Sequence, residues 1–343
     1  MKSQLEKAYL RRASQGLLKE PLHSRALRLW YGPGEAREGV LQNWAIDGYG
    51  PFLWITEWEA ALASATDLAW IERLAQETQA FYGPLGFEGA VILSRPRQGV
   101  PELPKLLWGA VPDEKFEVRE GDLRFWIRLF GSRHPGLFLD HRPLRDWLAL
   151  SGACRRKKVL NTFSYTGSLS VAASLGGAQH VTTLDLSKAT LQWAKENAEL
   201  NEISSDQSRW IAGDFFEEIP RLKRRGERFG VVISDPPSFS RGKKSNFSTQ
   251  KDLVRLHQNL LSVLEPGGIL VSSINSANVS WKHFEREVHE AARLAGVRLR
   301  EMAPIRQPES FPSSPEMPRS DYLKGIIAEC ESSGGSGHSK RIV

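Results

Sequence analysis

The rhythm of apolar and polar positions changes near residue 157. Before it, short runs alternate with turns. Ala26–Tyr31 and Phe52–Trp58 read as strands, and Thr66–Tyr82 places Leu68, Ile71 and Leu74 at helical spacing. Phe116–Val118 and Leu123–Leu129 flank Glu120-Gly121-Asp122, a hairpin turn by composition. Residues 1–150 therefore read as an N-terminal α+β domain, a platform for recognising substrate or RNA. From Lys157 on, short buried strands (Val159-Leu160, His180–Leu184, Trp210-Ile211, Val231–Ser234, Ile269–Ser273) alternate with helical stretches. The helices are a small-residue segment after Gly167, Lys188–Leu200, a basic segment near Glu218–Arg225, and Leu253–Leu264. That alternation predicts an α/β fold, a doubly wound parallel sheet over 151–330, which binds ligands beyond the carboxyl ends of its strands. The Ser/Gly tail, 331–343, cannot pack a core and reads as disordered.

Composition adds bounds. At 41% hydrophobic and 25% charged residues the chain is of the globular class, and 343 residues suffice for two cores. No run of about 18 apolar residues is present, and Met1–Leu18 carries charges where a secretion signal needs an apolar centre, so a cytoplasmic protein with no membrane partner is expected. Two cysteines, Cys154 and Cys330, give no disulfide framework and no zinc spacing, and no metal is expected. A formal charge of +6 favours encounter with polyanions without requiring one.

Three segments carry chemistry. Val159 to Ser168 is a buried strand, a tight loop and a helix start read as capped by Ser168; its single glycine, Gly167, makes no provision for a pyrophosphate but allows close approach of a small carboxylate. Asp185 ends the second strand at the separation from Gly167 usual for an acid that accepts ribose hydroxyls. Asp214, after the third strand, is followed by Phe215, which suits an acceptor for an adenine amine beside a stacking ring. Either acid alone reads equally as a helix cap; together they describe an adenosine. Finally, Asp235-Pro236-Pro237-Ser238-Phe239 follows the fourth strand, where two prolines stiffen an acceptor edge suited to a flipped base and Phe239 is free to stack. Arg241, Lys243 and Lys244 come next, on a loop over the same pocket, where they would meet an RNA backbone. Two denser basic clusters, Arg155-Arg156-Lys157-Lys158 and Arg221 to Arg228, read as solvated faces.

With Arg133 to Arg142, Asn161 to Gly167, Asn197, Asn201 and Asp321-Tyr322-Leu323-Lys324-Gly325 in the same order, the chain resembles the class I, Rossmann-like methyltransferases that modify bases of bacterial 23S ribosomal RNA. The resemblance implies S-adenosyl-L-methionine as cofactor, with large-subunit ribosomal RNA as partner. The cofactor would be held by Asn161, Phe163, Ser164, Tyr165 and Gly167 of the loop, and by Asp185, Leu186 and Ser187. Asn197, Asp214, Phe215 and Asp235 complete the set, with Arg142 as a further contact or, equally, a structural ion-pair partner. Asp235, Pro236, Pro237, Phe239 and Asn275 would act on the base. The branch that makes 5-methylcytidine uses a cysteine after the fifth strand; here Asn275 stands in its place and cannot be that nucleophile. The sequence is more similar to the guanine-N7 half of a bifunctional enzyme, although it lacks that enzyme's partner half and the PUA-type module of the cytidine branch. Methylation of an exocyclic amine, 5-methylcytidine formation, a nicotinamide dehydrogenase and a non-catalytic RNA platform are the competing readings.

Overall fold

The computed structural model describes residues 1–36, 40–60, 65–96, 102–241 and 246–331. They fold as two units, each drawn from separated stretches of chain. Among the described residues the first takes those within 1–143, 196–202 and 307–321; the second takes those within 144–195, 203–306 and 322–331. A single cut at residue 150 does not describe this division.

The first unit opens with α1 (Lys2–Ser14) and builds a sheet from β1 (Ala26–Tyr31), β2 (Trp44–Tyr49), β3 (Phe52–Ala60), β4 (Gly89–Pro96) and β5 (Lys105–Gly109), in that order. A short turn, α2 (Gly32–Glu35), follows β1. All neighbours are antiparallel except β3 and β4, which α3 (Ala65–Tyr82) connects as a parallel pair. The predicted hairpin is β6 (Phe116–Glu120) and β7 (Leu123–Ile127), turning at Gly121 with φ +57°. Leu29, Ile46, Leu53, Ile55, Leu74 and Tyr82 form its core. α1 escaped the periodicity reading because it is mostly polar. It is held by Arg12, whose buried guanidinium donates to the Ala8 and Ser310 carbonyls and to Glu35.

The second unit contains most of α4 (Arg142–Leu150), then β8 (Lys158–Thr162), α5 (Ser168–Leu175), β9 (His180–Asp185), α6 (Lys188–Leu200), β10 (Ser208–Ala212), α7 (Phe215–Arg224) and β11 (Phe229–Ser234). A small hairpin, β12 (Phe239–Arg241) and β13 (Asn246–Ser248), precedes α8 (Leu253–Leu261), β14 (Leu264–Asn275), α9 (Trp281–Leu294), β15 (Arg298–Ile305) and β16 (Leu323–Glu331). The seven-stranded sheet runs β10-β9-β8-β11-β14-β16-β15. The five expected strands are parallel, and β16 inserts antiparallel between β14 and β15. β11 is buried along its whole length, as a strand covered on both faces must be. Leu160, Leu184, Val232, Leu260, Leu270 and Phe284 fill the core. Among the described residues no helix is long and apolar enough to cross a membrane. The tail read as disordered lies, from residue 332, outside the described residues.

Candidate active site

Strand order reverses between β8 and β11, the crevice in which such sheets take ligands. Register gathers the carboxyl ends there: Thr162 faces Leu184 and Ser234, and Asp185 faces Ala212. Beyond Thr162 the loop passes through left-handed backbone at Phe163 (φ +53°), Tyr165 (+49°) and Gly167 (+76°). Such a conformation costs a non-glycine residue about 1–3 kcal/mol, so neighbouring contacts must fix it. Asp185 is one of them: Oδ2 accepts the Tyr165 amide at 2.8 Å, and Oδ1 accepts the Ser187 amide at 2.8 Å. The Thr190 hydroxyl has one proton for two acceptors, Asp185 Oδ1 at 3.2 Å and the Ser187 carbonyl at 3.0 Å. An ionised carboxylate offers about four acceptor positions. With Thr190 turned to Ser187, Asp185 keeps one free on each oxygen, which is what two ribose hydroxyls need.

Gly167 also has a packing role. It is itself the N-cap of α5, with Ser168 the first helical residue, and a methyl group on it would stand 2.7 Å from the Ala194 Cβ of α6. The glycine serves its positive φ and the close approach of a helix.

Asp214 caps α7, its Oδ1 accepting the Phe216 amide at 2.8 Å, which leaves Oδ2 for an external donor. Phe215 corrects the stacking assignment: it is 3% exposed, and its ring lies against Phe163 at 4.9 Å with planes 25° apart. An aromatic residue after a strand-end acid reads the same whether its ring faces a ligand or the core, and here the core takes it. The apolar side chain open to a ligand is Leu186, 54% exposed beside Asp185. Asn161 lies beneath the loop, donating to Ser170 Oγ at 2.9 Å. Asn161 Oδ1, Ser164 Oγ and Ser234 Oγ are buried at these strand ends without a hydrogen-bond partner among the described residues. Each unpaired buried polar atom costs about 1–3 kcal/mol. A bound molecule carrying polar groups would relieve that cost, and S-adenosylmethionine fits this donor and acceptor set.

Asp235 follows β11 half-buried, and the buried Ser273 hydroxyl of β14 donates to its Oδ1 at 2.7 Å. Pro236 is buried and Pro237 exposed. Ser238 Oγ donates to the Asn275 carbonyl at 2.6 Å, tying the proline edge to the end of β14, where Asn275 itself is exposed. Phe239 opens the small hairpin, 53% exposed. Asp235, Pro237, Phe239 and Asn275 are thus brought to one sheet end. Arg241 closes β12, while Lys243 and Lys244 lie outside the described residues.

Two sequence candidates belong elsewhere. Asn197 is fully buried and its Oδ1 accepts the Trp126 amide at 2.8 Å, so it anchors the β6–β7 hairpin within the first unit and has no surface for a cofactor. Arg142, also of the first unit, donates to Glu20 at 2.7 Å, the ion-pair role left open for it. Thr190, Ser234 and Ser273 were not singled out. The signal for the last was a Ser272-Ser273 pair inside an apolar strand. Both cysteines are buried: burial pushes the Cys154 thiol up to about 11 and raises that of Cys330, which faces Leu299 across β15. Neither thiol is at the strand ends.

A family of S-adenosylmethionine-dependent methyltransferases matches residues 99–325. The ribosomal RNA large subunit methyltransferase I of Aeromonas salmonicida is 28% identical over 310 residues, 90% of this chain and 76% of that protein. Its namesake from Yersinia pseudotuberculosis is 30% identical over 232 residues, 68% of this chain but 58% of that protein. SMU.776, solved in complex with SAH, superimposes with TM-score 0.83 at 24% identity, covering 96% of this chain and 80% of that one. A SAM-dependent methyltransferase from Agrobacterium tumefaciens does so with TM-score 0.61 at 24% identity, covering 84% and 87%. At such identities the structural likeness is one of fold. With the match spanning most of the chain and the strand-end site in place, the protein belongs to the S-adenosylmethionine-dependent methyltransferase family, and S-adenosyl-L-methionine is its cofactor.

Proposed function

We propose that this enzyme methylates a base of large-subunit ribosomal RNA by direct transfer to a ring nitrogen, guanine N7. The substrate class rests on the names of the relatives; the atom rests on the site. The single observation that carries it is the pairing of an exposed Asn275 at the end of β14 with two cysteines buried elsewhere, which removes the thiolate attack that 5-methylation of a pyrimidine uses.

The bound cofactor supplies an electrophilic methyl carbon on a cationic sulfur. Guanine N7 offers an in-plane lone pair and no proton, so it bonds to that carbon as the carbon–sulfur bond breaks. The positive charge passes from sulfur to the purine and no general base is required. This suits strand-end loops that contain no histidine. What remains for the protein is positioning. Asp235, fixed by Ser273, accepts from the donor edge of the base, Asn275 supplies a second polar contact, and Phe239 stacks on its face. Asp185 and Asp214 grip the two ends of the adenosine.

Incubation with labelled cofactor and unmodified ribosomal RNA, then digestion and mass identification of the nucleoside, tests this. The expected product is 7-methylguanosine. Either 5-methylcytidine or a base methylated on an exocyclic amine overturns the assignment.

A further inference from the structure

The two dense basic clusters, solvated faces when read separately in the sequence, are neighbours in the folded chain. β8 and β11 lie side by side with Val159 facing Val231, so the turn Arg155–Lys158 and the α7–β11 turn meet at the amino-terminal edge of the sheet. Contact is direct: a methyl group placed on Gly230 would meet the Lys157 side chain at 3.0–3.1 Å. On the next strand His180 faces Lys158, and its imidazole pKa is lowered by burial first and then by Arg209 and Lys158, against an opposing contribution from Glu227.

The charges here are unbalanced. Arg155, Arg156 and Lys158 are exposed, as are Arg224, Arg225 and Arg228, and none of the six has a carboxylate at ion-pair distance among the described residues. Of the neighbouring cations, Arg209 pairs with Glu227, and Arg221 with Glu217 and Glu218. Arg224 and Arg225 gain something from the carboxyl end of α7, an effect of about 0.3–1 kcal/mol that does not extend to Arg155–Lys158. Arg156 moreover occupies left-handed backbone at φ +56°, where a glycine would be less strained. Unneutralised like charges repel one another, and a polyanion removes that repulsion with release of its own counterions.

We propose that this edge is a second RNA contact, gripping sugar–phosphate backbone away from the reacting base. The proposal rests on the reading of ribosomal RNA as substrate. A strand of five residues spans about 17 Å, so the edge and the strand-end site touch different stretches of one RNA. A single nucleotide cannot span that distance, whereas an RNA with folded structure can.

The test uses the full-length chain with Arg155→Gln, Arg156→Gln and Lys158→Gln combined, and a second variant carrying Arg224→Gln and Arg225→Gln. Melting temperature and cofactor affinity serve as fold controls. Binding to a long ribosomal RNA fragment is titrated against salt, and methyl transfer is measured in the same samples. The triple variant is expected to bind at least tenfold more weakly at low salt, with its log–log salt slope smaller by about 2–3, the value for three lost phosphate contacts. Its kcat at saturating RNA and its cofactor affinity should match the parent. RNA affinity and slope equal to the parent's overturn the proposal, as does capture of the parent by anionic lipid vesicles that RNA fails to displace. If the parent transfers no methyl group to RNA yet loses RNA affinity through these substitutions, the edge stands and the substrate reading falls. If the parent methylates RNA and the variants bind as it does, the edge alone falls.

Discussion

The hydroxyl of Ser273 is a cleaner probe of the site than the acid it serves, because its removal leaves the Asp235 charge in place. A hydrogen bond to a charged group contributes about 1.5–3 kcal/mol. Ser273→Ala should therefore lower kcat/KM for RNA about tenfold or more while the cofactor dissociation constant stays within twofold; equal losses in both would show that Ser273 only supports the fold. Asp185 and Thr190 separate in the opposite way. Asp185→Ala removes the ribose acceptor and frees the Tyr165 and Ser187 amides, and should weaken cofactor binding by about 30-fold or more, on the order of 2 kcal/mol. Thr190→Val gives up a proton that Ser187 and Asp185 share, and should change binding less than threefold in the same titration. At this scale the sequence showed which acids end strands, since an acid after a buried run is visible in the order of residues. It did not show what their neighbours do. The Phe163 and Phe215 rings stack on one another, and Gly167 is fixed by Ala194 across the interface with α6, contacts that no local pattern encodes.

Elements whose periodicity is unbroken were legible to within a few residues, as with α6 and β11. β14 was read only from Ile269 because Glu265-Pro266-Gly267-Gly268 interrupts its first half, and β15 is largely exposed, so it lacks the buried run that marks a strand. The packing of α8 on β14 adds a feature the pattern cannot carry. His257 is fully buried, with Nδ1–H donating to the Leu253 carbonyl at 2.7 Å, so its Nε2 must accept the Ser272 hydroxyl at 2.8 Å. Burial lowers the imidazole pKa to about 4, below the ordinary 6.5 that the unfolded chain retains. Between those values the unfolded chain binds a proton that the folded one refuses, so stability falls as pH drops from 6.5 towards 4. The loss through this one group amounts to about 2 kcal/mol by pH 5. Urea unfolding at pH 7 and pH 5 should show it, and His257→Gln should flatten the dependence by that amount. An unchanged slope in the variant would assign the acid sensitivity to other groups.

On the scale of the whole chain, the least legible feature was the composition of the two units. Ser310 joins the first through Arg12, nearly three hundred residues away in sequence, and the end of α6 with the residue after it joins through Asn197 and Asn201, which hold the amides of Trp126 and Arg124. The family resemblance places Asn197 with the cofactor, whereas its side chain holds the β6–β7 hairpin. Hydrogen exchange with and without cofactor decides between these assignments. Binding at one hundred times the dissociation constant stabilises the folded state by about 2.7 kcal/mol, which slows exchange up to about 100-fold wherever opening destroys the site. That slowing should concentrate at Tyr165, Ser187 and Phe216, whose amides are held by Asp185 and Asp214. The Trp126 amide should exchange at an unchanged rate. Protection centred on Trp126 with none at Tyr165 would return Asn197 to the cofactor and remove the two strand-end acids from it.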